Sequence, residues 1–125
     1  MEEAKFEQLQ GKMLAIIKQI EDEELFFETV EGETYKLCHH QDCCESVTID
    51  DICGELEDLI GDPILVAEEV IHDLKNPIGV QKKEGQESFT WTFYKLETKK
   101  GGVTIRWYGD SNGFYSEKVD FYRVS

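Results

Sequence analysis

The apolar positions of the chain fall into two rhythms, and their alternation divides it into short elements. The opening "EEAKFEQLQ" carries Ala4 and Phe6 on one side and predicts a short helix, marginal by itself, with an apolar face turned to something else. Three apolar runs of strand length follow, "MLAIIKQI", "ELFFETV" and "TYKLCHH". The last two are joined across "EGE", a hairpin signal, so the three predict a small antiparallel meander. "TIDDICGELEDLIGDPI" reads as a helix: Thr48 or Asp50 can cap it, Ile52, Leu56, Leu59 and Ile60 share a face, and Gly61 followed by Pro63 ends it. The β-branched content of "ILVAEEVIHDL" predicts a strand, and the polar run from Lys75 to Ser88 predicts a long loop. "SFTWTFYKLET" and "VTIRWYG", linked by "KKGG", and then "FYSEKVDFYRV" after "GDSNG", predict an antiparallel sheet dense in aromatic residues. The expected fold class is α+β: a single domain over 1–125 with a short N-terminal helix, one mid-chain helix and antiparallel sheet.

Side chains alternate along a strand. Trp91, Phe93 and Lys95 therefore share a face, as do Thr104, Arg106 and Tyr108, while Val103, Ile105 and Trp107 take the opposite one. If the latter face packs inward, Arg106 emerges beside hydroxyls and a ring, a grouping suited to a nucleotide. On alternation alone, the reading that comes first is that Arg106 is one more exposed strand residue.

Composition bounds the function. The chain has 125 residues, enough for one domain with a modest core, and 40% hydrophobic content, too apolar for a disordered chain. Its 27 acidic residues against 13 basic ones give a formal net charge of -14, which repels DNA, RNA and anionic membrane. A small phosphorylated ligand needs only a few local cations, and the two arginines, Arg106 and Arg123, both lie near the C-terminus. The N-terminus is acidic and no apolar run reaches membrane-spanning length, so a soluble, cytoplasmic protein with reduced cysteines is expected.

The densest chemistry lies in "CHHQDCCESV", residues 38–47. A zinc site would want a second, separated pair of ligands, and Cys53 and His72 could supply one only by long-range coincidence. His39 or His40 could activate Cys43 or Cys44 as a nucleophile, but adjacency in sequence does not make a catalytic pair. The plainer reading is structural, with the cysteines as small buried hydrophobes and Asp42 and Ser46 as turn formers. There is no P-loop, no G-x-S-x-G and no H-E-x-x-H. No catalytic residue, metal or cofactor is therefore assigned, and an enzyme is not expected.

Two blocks, "YKLCHHQDCCESVTIDDICGELEDLIGDPI" and "WTFYKLETKKGGVTIRWYGDSNGFYSEKVDF", resemble a family of small phage and prophage proteins, the type one Thoeris anti-defence family. The resemblance implies a sponge. Such proteins bind glycocyclic ADP-ribose, the signal made by a TIR-domain enzyme, without cleaving it, so that the NAD-degrading effector stays silent. Some also hold cyclic di- or trinucleotides at separate pockets of a hexamer. It further implies an α+β fold, a homo-oligomer (a dimer, or a hexamer built of dimers) with ligand sites between protomers, and action in the cytoplasm of the infected host cell.

For such a ligand, chemistry selects Arg106 and Arg123 for phosphates, Phe89 or Trp107 for base stacking, and Asp110 and Asn112 for ribose hydroxyls or base edges. Each has a competing structural role: Trp107 as core, Asn112-Gly113 as turn chemistry. Two rivals come from other classes. One is an acidic DNA-mimic inhibitor of a host nucleic-acid enzyme, for which the charge of -14 also fits. The other is a cysteine hydrolase dependent on Cys43 or Cys44.

Overall fold

The computed structural model describes residues 2–73 and 88–125, and it is built almost entirely of strands. They are β1 (Glu2–Glu3), β2 (Leu14–Ile20), β3 (Glu24–Thr29), β4 (Thr34–Cys38), β5 (Ser46–Cys53), β6 (Val66–Asp73), β7 (Ser88–Thr98), β8 (Gly101–Ser111) and β9 (Asp120–Arg123). Two antiparallel sheets result, one ordered β1-β9-β4-β3-β2 and the other β5-β8-β7-β6. Among the described residues no helix is long and apolar enough to cross a membrane. The expected loop from Lys75 lies outside the described residues except for its last member, Ser88, which opens β7.

The α+β expectation is overturned, because both predicted helices are absent. The N-terminal one is a single 3-10 turn, Phe6–Leu9. Its apolar side needs no neighbouring chain: Phe6 is buried among Phe27, Tyr94 and Phe121, with ring centroids 6.4, 4.6 and 5.4 Å away. The mid-chain helix is instead strand β5 followed by a second 3-10 turn, Leu56–Leu59.

The expected helix face is divided between two elements, Ile52 near the end of β5 and Leu56, Leu59 and Ile60 in and just after the 3-10 turn, and β5 itself carries a bulge. β5 pairs with β8 in register Ile49↔Trp107, then Asp51↔Arg106, then Ile52↔Ile105, so one extra residue sits at Asp50. Alternation would put successive core residues two apart; the bulge sets Ile49 and Ile52 three apart on the same inner face, a helical spacing inside a strand. Thr48 and Asp50 cap nothing.

The strand expectations for "MLAIIKQI", "ELFFETV" and "TYKLCHH" correspond to β2, β3 and β4, which form the predicted meander. "SFTWTFYKLET" is β7 without a residue to spare. The last segment departs from expectation: β9 leaves the aromatic sheet and pairs with β4, Tyr35↔Arg123 and Leu37↔Phe121. Its Phe121 then stacks on Tyr35 at 5.3 Å, inside the core.

One core joins the two inner faces: Leu25, Phe27 and Leu37 from the first sheet meet Tyr94, Leu96, Ile105 and Trp107 from the second. Each such side chain contributes about 1.5–3 kcal/mol through burial. Tyr94 brings a hydroxyl into this core and satisfies it by donating to Glu69 Oε2 at 2.7 Å. A smaller cluster, Phe89, Trp91 and Tyr108, lies on the outer face of the second sheet.

Candidate functional site: a polar groove on the first sheet

The segment after β4 folds back on itself around one carboxylate. Glu45 is buried, and its oxygens accept from the backbone N–H groups of Asp42 and Cys43, both at 2.8 Å. Burial opposes the charge, but those two N–H groups and His39 outweigh it and hold the carboxyl down at about 2. Gln41 Nε2 donates to the Glu45 carbonyl at 2.6 Å and tightens the turn. The adjacent Cys43 and Cys44 bring their sulfur atoms together at the exposed tip of the turn, and of the four cysteines expected to be buried only Cys38 is, since Cys43, Cys44 and Cys53 are exposed.

His39 carries this loop to a distant part of the chain. Its Nε2 lies 2.7 Å from Glu45 Oε2 and its Nδ1 lies 2.6 Å from the carbonyl oxygen of Lys118. Lys118 directly follows "SNGFYSE". That loop is fixed from within: Glu117 accepts from the hydroxyls of Thr90 and Ser111, and Asn112 Oδ1 accepts from Phe114 N at 3.0 Å. At the crossing point stands Gly109, where a Cβ would come within 3.0 Å of both the Glu117 carbonyl oxygen and a Val47 methyl. The 38–47 segment and the loop before Lys118 are therefore neighbours in space.

Beside this junction an open groove of about 620 Å³ runs over the outer face of the first sheet. Its floor includes Lys36 and Tyr122, directly paired between β4 and β9. One wall is made by Cys38–Gln41 and by Glu45–Thr48 at the start of β5, and Glu23 and Glu24 close the end. There Ile49 N donates to the Asp22 carbonyl at 2.7 Å, tying β5 to the turn between β2 and β3. Lys36 meets Glu24 at 2.5 Å, and that bond holds its ammonium above the ordinary range. Burial pushes the Cys38 thiol and the Tyr122 phenol upward. At neutral pH the groove thus presents the Lys36 ammonium paired with Glu24, the Glu23 and His40 side chains, a phenol, the Ser46 and Thr48 hydroxyls and the Gln41 amide oxygen, with a protonated Cys38 thiol.

The residues selected from sequence are distributed differently. Arg106, Phe89 and Asp110 do share the outer face of the second sheet, where β7 and β8 pair Phe93↔Arg106, Trp91↔Tyr108 and Phe89↔Asp110. Arg106 is already engaged: its Nε and Nη2 donate to Asp50 Oδ2 at 2.8 and 2.5 Å, and its guanidinium lies 5.1 Å from the Trp91 ring centre. Phe89 is 8% exposed, so its ring is covered rather than offered. Trp107 points inward, is fully buried, and its Nε1 has no hydrogen-bond partner among the described residues. It is core, not a stacking platform. Asn112 is occupied by its turn, and Arg123 stands on the other sheet, 3.4 Å from Glu33.

Lys36, Tyr122 and Glu45 were not singled out from sequence. Glu45 lay within the quoted cluster, unnoticed among 27 carboxylates; Lys36 and Tyr122 sit on strands paired across some 80 residues of chain, which no local pattern reveals. Among the described residues no group of three or more His, Cys, Asp or Glu side chains is placed to hold a metal ion.

Comparison with known proteins returns no match among curated proteins and none among solved structures. A family model described as a domain of unknown function, DUF7448, matches residues 7–121. With nearly the whole chain covered, from the first 3-10 turn to β9, the protein belongs to the DUF7448 family.

Proposed function

We propose that this protein is a sponge: it binds a small cyclic nucleotide signal of the ADP-ribose class and holds it without cleaving it. The observation that carries this reading is a groove of ligand size, lined by hydrogen-bonding groups, in which Glu45, His39 and Cys38 are already engaged or protonated. Its volume of about 620 Å³ falls within the span of small-molecule sites. Within it, Glu45 is locked as a carboxylate by its own loop, both His39 nitrogens are engaged, and the Cys38 thiol stays protonated. In this reading those three residues shape the groove, and the Lys36, Tyr122, Ser46 and Thr48 side chains supply its hydrogen-bonding groups. The resemblance of the two sequence blocks to the Thoeris anti-defence family supplies the ligand class: glycocyclic ADP-ribose first, cyclic di- or trinucleotides after it.

In this reading Lys36 leaves Glu24 to meet the pyrophosphate, and a second copy of the chain helps to enclose the ligand, as a homo-oligomer would. The acidic surface gives an anion no long-range attraction, so tight holding rests on slow release. Arg106 needs to give up Asp50 before it can take a phosphate, which makes it a secondary contact.

The test mixes the protein with the cyclic product of a TIR enzyme, passes the mixture through a size filter, and heats the retained protein. Signal that vanishes from the filtrate and returns intact on heating supports the sponge. Signal that stays in the filtrate overturns it, and a changed product would make the protein an enzyme. Lys36→Ala is expected to weaken retention at least about tenfold, with Arg106→Ala weaker in effect and Arg123→Ala without one.

A further inference from the structure

Both acceptors of His39 are groups that can only accept. The Lys118 carbonyl oxygen has no hydrogen to give, so Nδ1, at 2.6 Å, is the donor there. Glu45 is tied to two backbone N–H donors at 2.8 Å and keeps no proton of its own, so Nε2, at 2.7 Å, donates to it as well. An imidazole with two donating nitrogens is an imidazolium. We infer that His39 is held as a buried cation whose second proton positions the groove wall by tying the 38–47 loop to the chain entering β9, and so makes ligand retention depend on pH.

The surroundings fit a cation enclosed by acceptors. The His39 and Glu45 side chains are 4% and 0% exposed, so neither charge is satisfied by water, and each is the other's counter-ion. From its own segment the neighbouring titratable groups are Cys38 and His40, and His40 N donates to Asp120 on β9. From the approach to β9, the Lys118 ammonium is turned away toward Glu3 and Asp120. From β3 and β4, Glu24 and Lys36 face each other, and Tyr122 lies beside them. Glu45 is the only carboxylate bonded to the ring among the described residues, and no cation among those named stands ready to replace the imidazolium. Removal of the second proton leaves one of two outcomes: Nδ1 loses the Lys118 carbonyl and the two loops part, or Nε2 faces Glu45 as acceptor against acceptor. Either one opens the groove wall or bares a buried anion next to the ligand.

The protonation state stands on geometry alone, whereas its effect on retention rests on the groove being the binding site. The experiment therefore has two readouts on the full chain. In nuclear magnetic resonance of the free, nitrogen-labelled protein at pH 7.5, where an unperturbed imidazole is mostly neutral, both His39 ring nitrogens are expected to carry hydrogen. Glu45→Gln should lose one of them. The second readout is retention of glycocyclic ADP-ribose between pH 6 and 9, expected to fall about tenfold in step with the His39 signals, and to be flat in Glu45→Gln. A singly protonated ring in the unsubstituted protein at pH 7.5 overturns the inference regardless of any ligand. Two protonated nitrogens with retention unchanged through their titration overturn the positioning role and leave the groove as the site. No retention at any pH overturns that role together with the sponge reading, while the ring signals still decide the charge.

Discussion

Single residues in this protein are set by what surrounds them more than by what they are. Glu45 is one carboxylate among many acidic side chains, yet two N–H groups of its own loop and His39 depress its titration to about 2. The sign of the linkage follows. A carboxyl that is harder to protonate when folded stabilises the fold fully above the ordinary carboxyl range, about 4.3, and that contribution disappears as pH falls toward 2. Urea midpoints measured from pH 6 down to 2.5 should therefore drop for the natural chain, and Glu45→Gln should flatten that drop while lowering the midpoint at pH 6. Trp107 gives the opposite lesson, for its indole looks like a stacking platform in sequence and lies wholly inside the core. Trp107→Ala is expected to cost about 3–5 kcal/mol, read by denaturant unfolding. Trp107→Phe, which removes an N–H that bonds to nothing among the described residues, should cost much less and leave retention of the cyclic signal intact.

At the scale of elements, the strands were legible where alternation ran unbroken and illegible where it was interrupted. β7 could be read because its rings and hydroxyls alternate over eleven residues. β5 could not, because its end at Ile52 and the following 3-10 turn at Leu56 and Leu59 together space apolar residues three and four apart, as a helix face would. The bulge in β5 leaves Asp50 unpaired with β8, and its carboxylate accepts from Arg106. β5 ends at Cys53, and Gly54 follows it with φ of 107° and the Gly102 carbonyl oxygen 2.5 Å from where a Cβ would stand. Gly54→Ala is expected to destabilise by roughly 1–3 kcal/mol through backbone strain, more once the clash with β8 is added, and urea unfolding would show it. Replacement of Gly11, whose Cβ would meet nothing within 4 Å, should cost less despite a similar φ.

At the scale of the whole molecule, the functional question turns on which groups meet. Filtration with the TIR product tests the sponge directly, and substitution at Lys36 against Arg106 separates the groove of the first sheet from the outer face of the second. By itself the sequence determined the local matters: strand-forming alternation, the hairpin at "EGE", the shared face of Val103, Ile105 and Trp107, and the acidic character of the chain. These depend on neighbours two to four residues apart, and such neighbours are printed side by side. Tertiary structure alone decided that β9 crosses to the first sheet, parting Arg123 from Arg106, that His39 bridges Glu45 to Lys118, and that Lys36 and Tyr122 floor a groove under the 38–47 loop. Those pairings join residues roughly 80 positions apart, and they are selected by the burial of a common core and by hydrogen-bond complementarity across it, which no local pattern encodes.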